Sequence, residues 1–212
     1  MISKKNNKVV LAGYSGHALV AAEALMLAGF EVAGYLEKKP VANNFLNLHY
    51  FGFEQDRKVL ETINGMSVFP AIGDNSIREK LILYFEEMGF ELATAIHPDA
   101  RISQYASIAS GTLICRGALI NPFAKIGKGV IINTGAIIEH ECVIDDFAHI
   151  APGAVLAGNV SIGKTSFIGA NAVIKQNVNV GKGAIIGAGS VVLYDVENEK
   201  TFIGNPAKMF IR

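Results

Sequence analysis

The run Ile138-Glu139-His140-Glu141-Cys142 sets a histidine directly before a carboxylate, and a second histidine, His149, follows nine residues after the first. Histidine is the side chain that ordinarily titrates near neutral pH, so it can accept a proton as a general base, and a carboxylate beside it orients the ring and raises its basicity. Two histidines and one loose acid do not specify a closed metal site, which takes four converging ligands. No metal is expected. A lone surface histidine is usually only solvated, so the pair acquires meaning from the frame that presents it.

That frame is a repeat. From Ile102 to Glu197 the chain falls into sixteen six-residue units without an insertion, each opening on a branched aliphatic residue, from Ile102 and Ile108 to Ile186 and Val192. Position five is small or short-branched, as in Ala106, Thr112, Cys142, Ser166 and Ser190. A period of six with two inward positions marks a parallel β-helix, three units to a triangular coil. With strands stacked about 4.8 Å apart, just over five coils give a prism about 25 Å tall. Glycine recurs at position four, for example Gly111, Gly135 and Gly189, where a sharp corner requires positive φ. In this register His140 and Glu141 occupy positions three and four on an outer corner, Ile138 and Cys142 point inward, and His149 at position six points away from the core. A plain structural rod would have the same repeat but no reason for the histidine-acid pair.

Residues 1–98 follow a different grammar. Residues 8–12 read as a strand, Gly13 to His17 as a loop, 18–28 as a helix and 30–36 as a strand, which is a βαβ unit. A second unit is expected from a strand at 68–72, the loop Gly73-Asp74-Asn75, a helix at 76–88 and a strand at 91–96. Residues 41–65 are less legible, with a possible helix at 55–63. His97-Pro98 breaks the pattern, which divides the chain into an α/β domain at residues 1–98 and a β-helix with its tail at 99–212. In an open parallel sheet, ligands bind beyond the carboxyl ends of the strands. Gly13-Tyr14-Ser15-Gly16 is such a loop, with backbone N–H groups and a helix dipole for a polar or anionic ligand. Ser15 stands where a dinucleotide fingerprint has its second glycine, so an NAD site lacks its motif. Glu37 ends the next strand and faces the same crevice, where it can accept hydrogen bonds from a ribose or a base.

Composition narrows the partners. The chain of 212 residues carries 19 basic and 19 acidic side chains, and no basic run exceeds two residues, so a nucleic-acid track is not expected. No uncharged apolar run approaches the roughly 18 residues of a membrane span, and residues 1–8 are polar without a signal-type stretch, which predicts a cytoplasmic protein. Cys142 is read as inward and Cys115 as lying on an outer position two, with neither a disulfide framework nor a zinc spacing.

Taken together, Gly13-Tyr14-Ser15-Gly16-His17, Ile72-Gly73-Asp74-Asn75 with Arg78, Asn133-Thr134 ahead of Ile138-Glu139-His140-Glu141-Cys142, His149, Ala157-Gly158-Asn159-Val160 and the terminal Gly204-Asn205-Pro206-Ala207-Lys208 resemble a known family. It is that of the sugar O- and N-acyltransferases of the sialic acid O-acetyltransferase type, above all the UDP-4-amino-sugar N-acetyltransferases of bacillosamine synthesis. The resemblance covers essentially the whole chain. It implies an N-terminal Rossmann-like α/β domain for a nucleotide sugar, followed by a left-handed parallel β-helix that forms a homotrimer with active sites at subunit interfaces. It further implies acetyl-CoA as co-substrate, His140 as general base sharpened by Glu141, and His149, Ala170 and Ala188 as coenzyme contacts. Ser15, Gly16, His17, Glu37, Lys38 and Gly73 would line the nucleotide-sugar pocket. The implied reaction is N-acetylation of a UDP-linked amino-deoxy sugar for bacterial surface glycan assembly.

The register extends this, because residues eighteen apart stack on one edge. Pro152, Ala170 and Ala188 form a column of small side chains suited to a narrow pantetheine groove. Lys128, Asp146, Lys164 and Lys182 form another, in which Lys164 or Lys182 is a candidate for the coenzyme phosphates. Two departures bear on the substrate. Glu37-Lys38 replaces an aspartate pair of close relatives, which leaves a GDP-linked sugar open, and the segment 41–65 is longer and can reshape the sugar pocket. The rival readings are O-acetylation of a sialic acid or related hydroxyl, a sugar-nucleotide-binding scaffold in which His140 is incidental, and an NAD-dependent enzyme.

Overall fold

The computed structural model describes residues 7–211, and the polar segment 1–6 lies outside the described residues. The chain opens with β1 (Lys8–Ala12), α1 (Gly16–Leu27), β2 (Glu31–Leu36), β3 (His49–Gly52), α2 (Arg57–Thr62), β4 (Ser67–Pro70) and α3 (Asn75–Glu87). The four strands make an all-parallel sheet in the order β3-β2-β1-β4. The unbroken apolar run Val9-Val10-Leu11-Ala12 is buried, as a central parallel strand covered on both faces must be. Ala18, Ala21, Ala22 and Ala24 form the buried side of α1, and their short side chains let that helix lie close to its neighbours. Because β2 and β4 flank β1 on opposite sides, the winding reverses at β1 and a crevice opens at the carboxyl ends of β1 and β4.

The expected strand at 91–96 meets this sheet only at one bridge. Leu92 makes a single bridge to Val68, and β5 (Ala95–Ile96) then pairs with Leu113–Ile114 of the prism. The reason lies in the register: Ile96 stands eighteen residues before Ile114, and Ile96 and Ala100 pack on the prism core as positions one and five of an earlier unit. His97-Pro98 is therefore part of a repeat, not a break, and the first coil begins ahead of residue 98.

From β5 to β21 (Val191–Val192) seventeen two-residue strands recur at six-residue spacing. Partners lie eighteen residues apart, as in Ile131, His149, Phe167 and Ile185, and build three parallel sheets. β22 (Thr201–Ile203) and β23 (Lys208–Met209) close the lower end as an antiparallel pair. Positions one and five fill the interior with aliphatic and alanine ladders. The polar members of that ladder are satisfied within the backbone: Thr112 Oγ1 donates to Gly127 O at 2.9 Å and Ser166 Oγ to Gly181 O at 2.7 Å. Position four adopts the left-handed conformation even without glycine, in Phe123, Glu141, Phe147, Asn159, Thr165, Asn171 and Asn177, with φ between 55° and 65°.

One side chain fastens the two domains. Arg78 of α3 is 1% exposed and donates to Ile72 O and Gly73 O of its own domain and to Gly129 O, Phe147 O and Ala148 O of the prism. Asn75 accepts from the same guanidinium and itself donates to Thr165 O and Ser166 O. Burial pushes the guanidinium down to about 10, with Asp74 opposing the shift. Around this centre Glu86 pairs with Lys128 at 2.7 Å and Glu79 with Lys164 at 2.6 Å.

Candidate active site

His140 lies on the prism edge between β12 (Ile137–Ile138) and β13 (Val143–Ile144). The αL turn at Glu141 folds its side chain back, and Glu141 Oε2 stands 3.0 Å from His140 Nδ1. A carboxylate only accepts, so in the neutral ring Nδ1 carries the proton and Nε2 keeps its lone pair. Both side chains are exposed. The ring is thus oriented and accessible, the condition for a general base.

The second histidine belongs to another constellation. His149 on β14 (His149–Ile150) points out from the prism, as the register predicts, but it is 8% exposed because the α/β domain covers it. Its Nε2 faces Asn133 Nδ2 at 3.2 Å, Phe167 packs edge-on at 5.1 Å, and the His17 ring lies 6.2 Å away. Gly73 sits over His17, where an added Cβ would be 3.9 Å from Cγ. Burial, with the Arg78 cation second, pushes His17 down to about 4. His149 also falls to about 4, by burial first and then by Arg78 and His17, with the Gly73 backbone opposing. Among the described residues, His17 Nε2 and His149 Nδ1 are buried side-chain nitrogens without a hydrogen-bond partner.

The loop after β1 forms the outer wall of the same crevice. Glu37 Oε1 accepts from Tyr14 N at 3.0 Å, and the Tyr14 ring stacks on Tyr35 at 4.5 Å. Ser15 makes no side-chain capping bond to α1, whereas Asp56 and Asp74 cap α2 and α3; the Ser15 carbonyl accepts from Ala18 N at 2.9 Å, and Ser15 and Gly16 are exposed. Residues 41–46 fold over this loop: Val41 N donates to Tyr35 Oη and Leu46 N to Tyr14 Oη, enclosing a cavity of about 290 Å³ lined by Tyr14, Ser15, Gly16, Val41, Asn43 and Phe45. Lys38 is exposed, with its ammonium 5.8 Å from the Phe53 ring centre. A larger cavity, about 500 Å³, lies at the amino ends of the strands beside Phe30, Ser67 and Glu91, away from these loops.

The chain matches the PglD N-terminal domain family over residues 8–85 and the bacterial transferase hexapeptide family over residues 123–158 and 159–193. It is 35% identical to a histidine-to-asparagine variant of perosamine N-acetyltransferase from Caulobacter crescentus, solved with CoA and GDP-perosamine, over 97% of both chains at a TM-score of 0.92. It is 33% identical to the acetyltransferase domain of PglB from Neisseria gonorrhoeae over 97% of this chain and 100% of that one, at a TM-score of 0.89. The chain belongs to the hexapeptide-repeat sugar acetyltransferases. WeeI from Acinetobacter baumannii aligns at 26% identity and a TM-score of 0.83, over 95% of this chain and 99% of that one. Among curated protein sequences no match is found. The fold of this acetyltransferase is accordingly a Rossmann-like domain followed by a left-handed β-helix.

Within the acetyltransferase the expected site residues divide between two edges of one prism face. That face carries β6 (Arg101–Ile102), β9 (Leu119–Ile120), β12, β15 (Val155–Leu156), β18 (Val173–Ile174) and β21, with Leu119, Ile137, Val155, Val173 and Val191 outward. His140 and Glu141 border it on one side. On the other side stand Ala170 and Ala188, at the corners that follow the His149 sheet, with Asn133 and the crevice of Ser15, Gly16, His17 and Gly73 nearby. The structure engages two members of the lysine column with the α/β domain and leaves Lys182 exposed. Lys164 pairs with Glu79 and lies 5.2 Å from the Phe147 ring centre, and Lys128 pairs with Glu86, so the α/β domain takes up that edge at these two positions. Cys115, outward in register, is buried under the same domain, and burial pushes its thiol up to about 12. Sequence reasoning assigned no role to Arg78, Asn133 or Phe167. The register could have found the last two, since Phe167 pairs with His149 and Asn133 follows the His149 partner Ile131 by two residues.

Proposed function

We propose that this acetyltransferase moves the acetyl group of acetyl-CoA onto the amino group of a nucleotide-linked amino-deoxy sugar, with His140 as general base. The observation that carries this reading is the 3.0 Å pairing of His140 Nδ1 with Glu141, which leaves Nε2 available at an open edge. As the neutral sugar amine attacks the thioester carbonyl, Nε2 takes the amine proton. The tetrahedral intermediate then expels coenzyme A, the C–S bond breaks, and the departing sulfur recovers a proton, leaving amide and free thiol. Placement of two bound substrates supplies much of the acceleration. Ser15, Gly16, His17, Glu37 and Gly73 hold the nucleotide sugar, with Lys38 at the rim, and His149, Ala170 and Ala188 border the coenzyme.

The working unit is a homotrimer with active sites at subunit interfaces. Support comes from the aliphatic outer face of Leu119, Ile137, Val155, Val173 and Val191, on which Leu119 and Val173 are each 39% exposed in the single chain. Such a continuous apolar stripe is what a partner subunit covers. The reaction takes place in the cytoplasm and serves bacterial surface glycan synthesis; among the described residues no helix is long and apolar enough to cross a membrane.

UDP is the nucleotide expected from the sequence. GDP is a second reading, favoured by the relatives solved with GDP-perosamine at 35% identity. A thiol-release assay with acetyl-CoA against UDP- and GDP-linked amino sugars decides both reaction and acceptor. Saturable turnover of one amino sugar is expected, with a hydroxylamine-stable amide as product. His140→Ala should lose turnover and keep its oligomeric state, and normal turnover in that variant removes the catalytic assignment.

A further inference from the structure

We infer that Gly158 is a positioning residue for His140: the missing side chain at 158 is what lets the imidazole lie against the next coil with Nε2 presented to the acceptor. The inference rests on the transfer reading above and concerns the same site.

Gly158 stands eighteen residues after His140, directly beneath it on the edge, and Asn159 N donates to His140 O across the coils at 2.9 Å. A Cβ built on Gly158 would lie 2.5 Å from His140 Cε1, 2.6 Å from Nε2 and 3.3 Å from Nδ1, and these ring atoms are its nearest neighbours. To restore ordinary contact at 3.4 Å the ring would have to retreat by about 1 Å. Nε2 is the nitrogen that Glu141 leaves available, so the displaced atom is the base itself.

The prism has no structural need for this glycine. Glycines at position four sit at positive φ, and those at position two, such as Gly163 and Gly169, would drive a Cβ into the backbone of the next coil. Gly158 does neither: its φ lies outside the left-handed region and the atoms it spares belong to one side chain. Position three accepts almost anything else. On the same edge it is Gln104, Pro122, His140, Gln176 and Tyr194, and in the sixteen units from Ile102 Gly158 is the one glycine at that position. Of the sixteen, the unit that lacks a position-three side chain is the one under the histidine.

The test compares parent, Gly158→Ala, Gly158→Ser and His140→Ala as intact oligomers, with acetyl-CoA and the accepted amino sugar. Alanine is compatible with the backbone at 158, so the melting temperature should hold or rise slightly. The expected result is a fall in kcat of about tenfold to a hundredfold, the scale of a 1 Å misplacement. KM for both substrates should stay within about twofold, because His140 acts on the proton and not on ground-state binding. The His140 ring ¹⁵N and ¹H resonances should move in Gly158→Ala and further in Gly158→Ser. Parent-like kcat in both position-158 variants, with His140→Ala inactive, overturns the role of Gly158 and leaves the transfer reading standing. Parent-like kcat in His140→Ala instead overturns the transfer reading. Unmoved His140 resonances, or a lost kcat accompanied by subunit dissociation or a lowered melting temperature, also overturn the positioning role.

Discussion

Glu141, the proposed partner of the base, carries a conformational cost at the scale of one side chain. It occupies a corner where φ is 63°, a position that seven glycines fill elsewhere in the prism. A residue with a Cβ in that conformation is strained by about 1 kcal/mol. Glu141→Gly should therefore raise stability by about 1 kcal/mol in urea unfolding while lowering kcat at least about tenfold, since His140 Nδ1 loses its acceptor. A variant that is no more stable, or that keeps full turnover, contradicts this account. The buried histidines give a pH signature. His17 and His149 titrate near 6.5 when unfolded and near 4 when folded. Between those values the unfolded chain binds more protons, so stability falls as pH drops from about 6.5 to 4 and is flat above that window. The upper bound is about 3 kcal/mol for each ring. Thermal unfolding followed from pH 7 to 4 should show a shallower decline for His149→Gln than for the parent, and an equal slope would count against a neutral buried His149. The outer-corner position of His140 and Glu141 was readable in sequence because period six places each residue on a named edge. The burial of His149 was not, since its cover comes from another domain.

At the scale of elements, the repeat specifies its own secondary structure so tightly that even its start can be placed by Ile96 and Ala100, one unit before the pattern first looks regular. The α/β domain is less legible, and residues 91–96 show why. A largely apolar segment with four apolar residues in six fits a sheet strand by composition, yet the eighteen-residue stacking with Leu113 and Ile114 claims its end for the prism. Arg78 was silent for a different reason. Its prism acceptors are backbone carbonyls 51 to 70 residues away, and a carbonyl carries no residue identity for a sequence reader to find. Removing this guanidinium strands several buried acceptors at once, each costing about 1–3 kcal/mol when unsatisfied. Arg78→Met should thus lower unfolding free energy by about 3 kcal/mol or more. Because Arg78 also holds Ile72 O and Gly73 O, KM for the nucleotide sugar should rise more than KM for acetyl-CoA. Chemical denaturation with initial-rate kinetics checks both, and an unchanged nucleotide-sugar KM would show that the Gly73 loop is held without the arginine.

For the whole molecule, the proposed trimer turns on the separation of the two candidate edges. His140 borders one side of the aliphatic face, while Ala170, Ala188 and the crevice of His17 and Gly73 lie toward the other. A cyclic trimer that buries this face brings the His140 edge of one subunit beside the crevice edge of the next, since a head-to-tail interface joins two different surfaces of the same chain. Two inactive variants should then rescue one another. His140→Ala keeps an intact crevice, and Gly73→Trp keeps an intact base but fills the space over His17. When the two are co-expressed in equal amounts, an interface is productive if the His140 edge comes from the Gly73→Trp subunit and the crevice from the His140→Ala subunit. Random assembly makes that combination at about one interface in four, so the mixture should recover about a quarter of parental turnover although each variant alone is inactive. Separately purified and mixed without subunit exchange, the same proteins should stay inactive. Recovery fails if each chain completes its own site, because no mixed trimer would then contain a subunit with both halves intact.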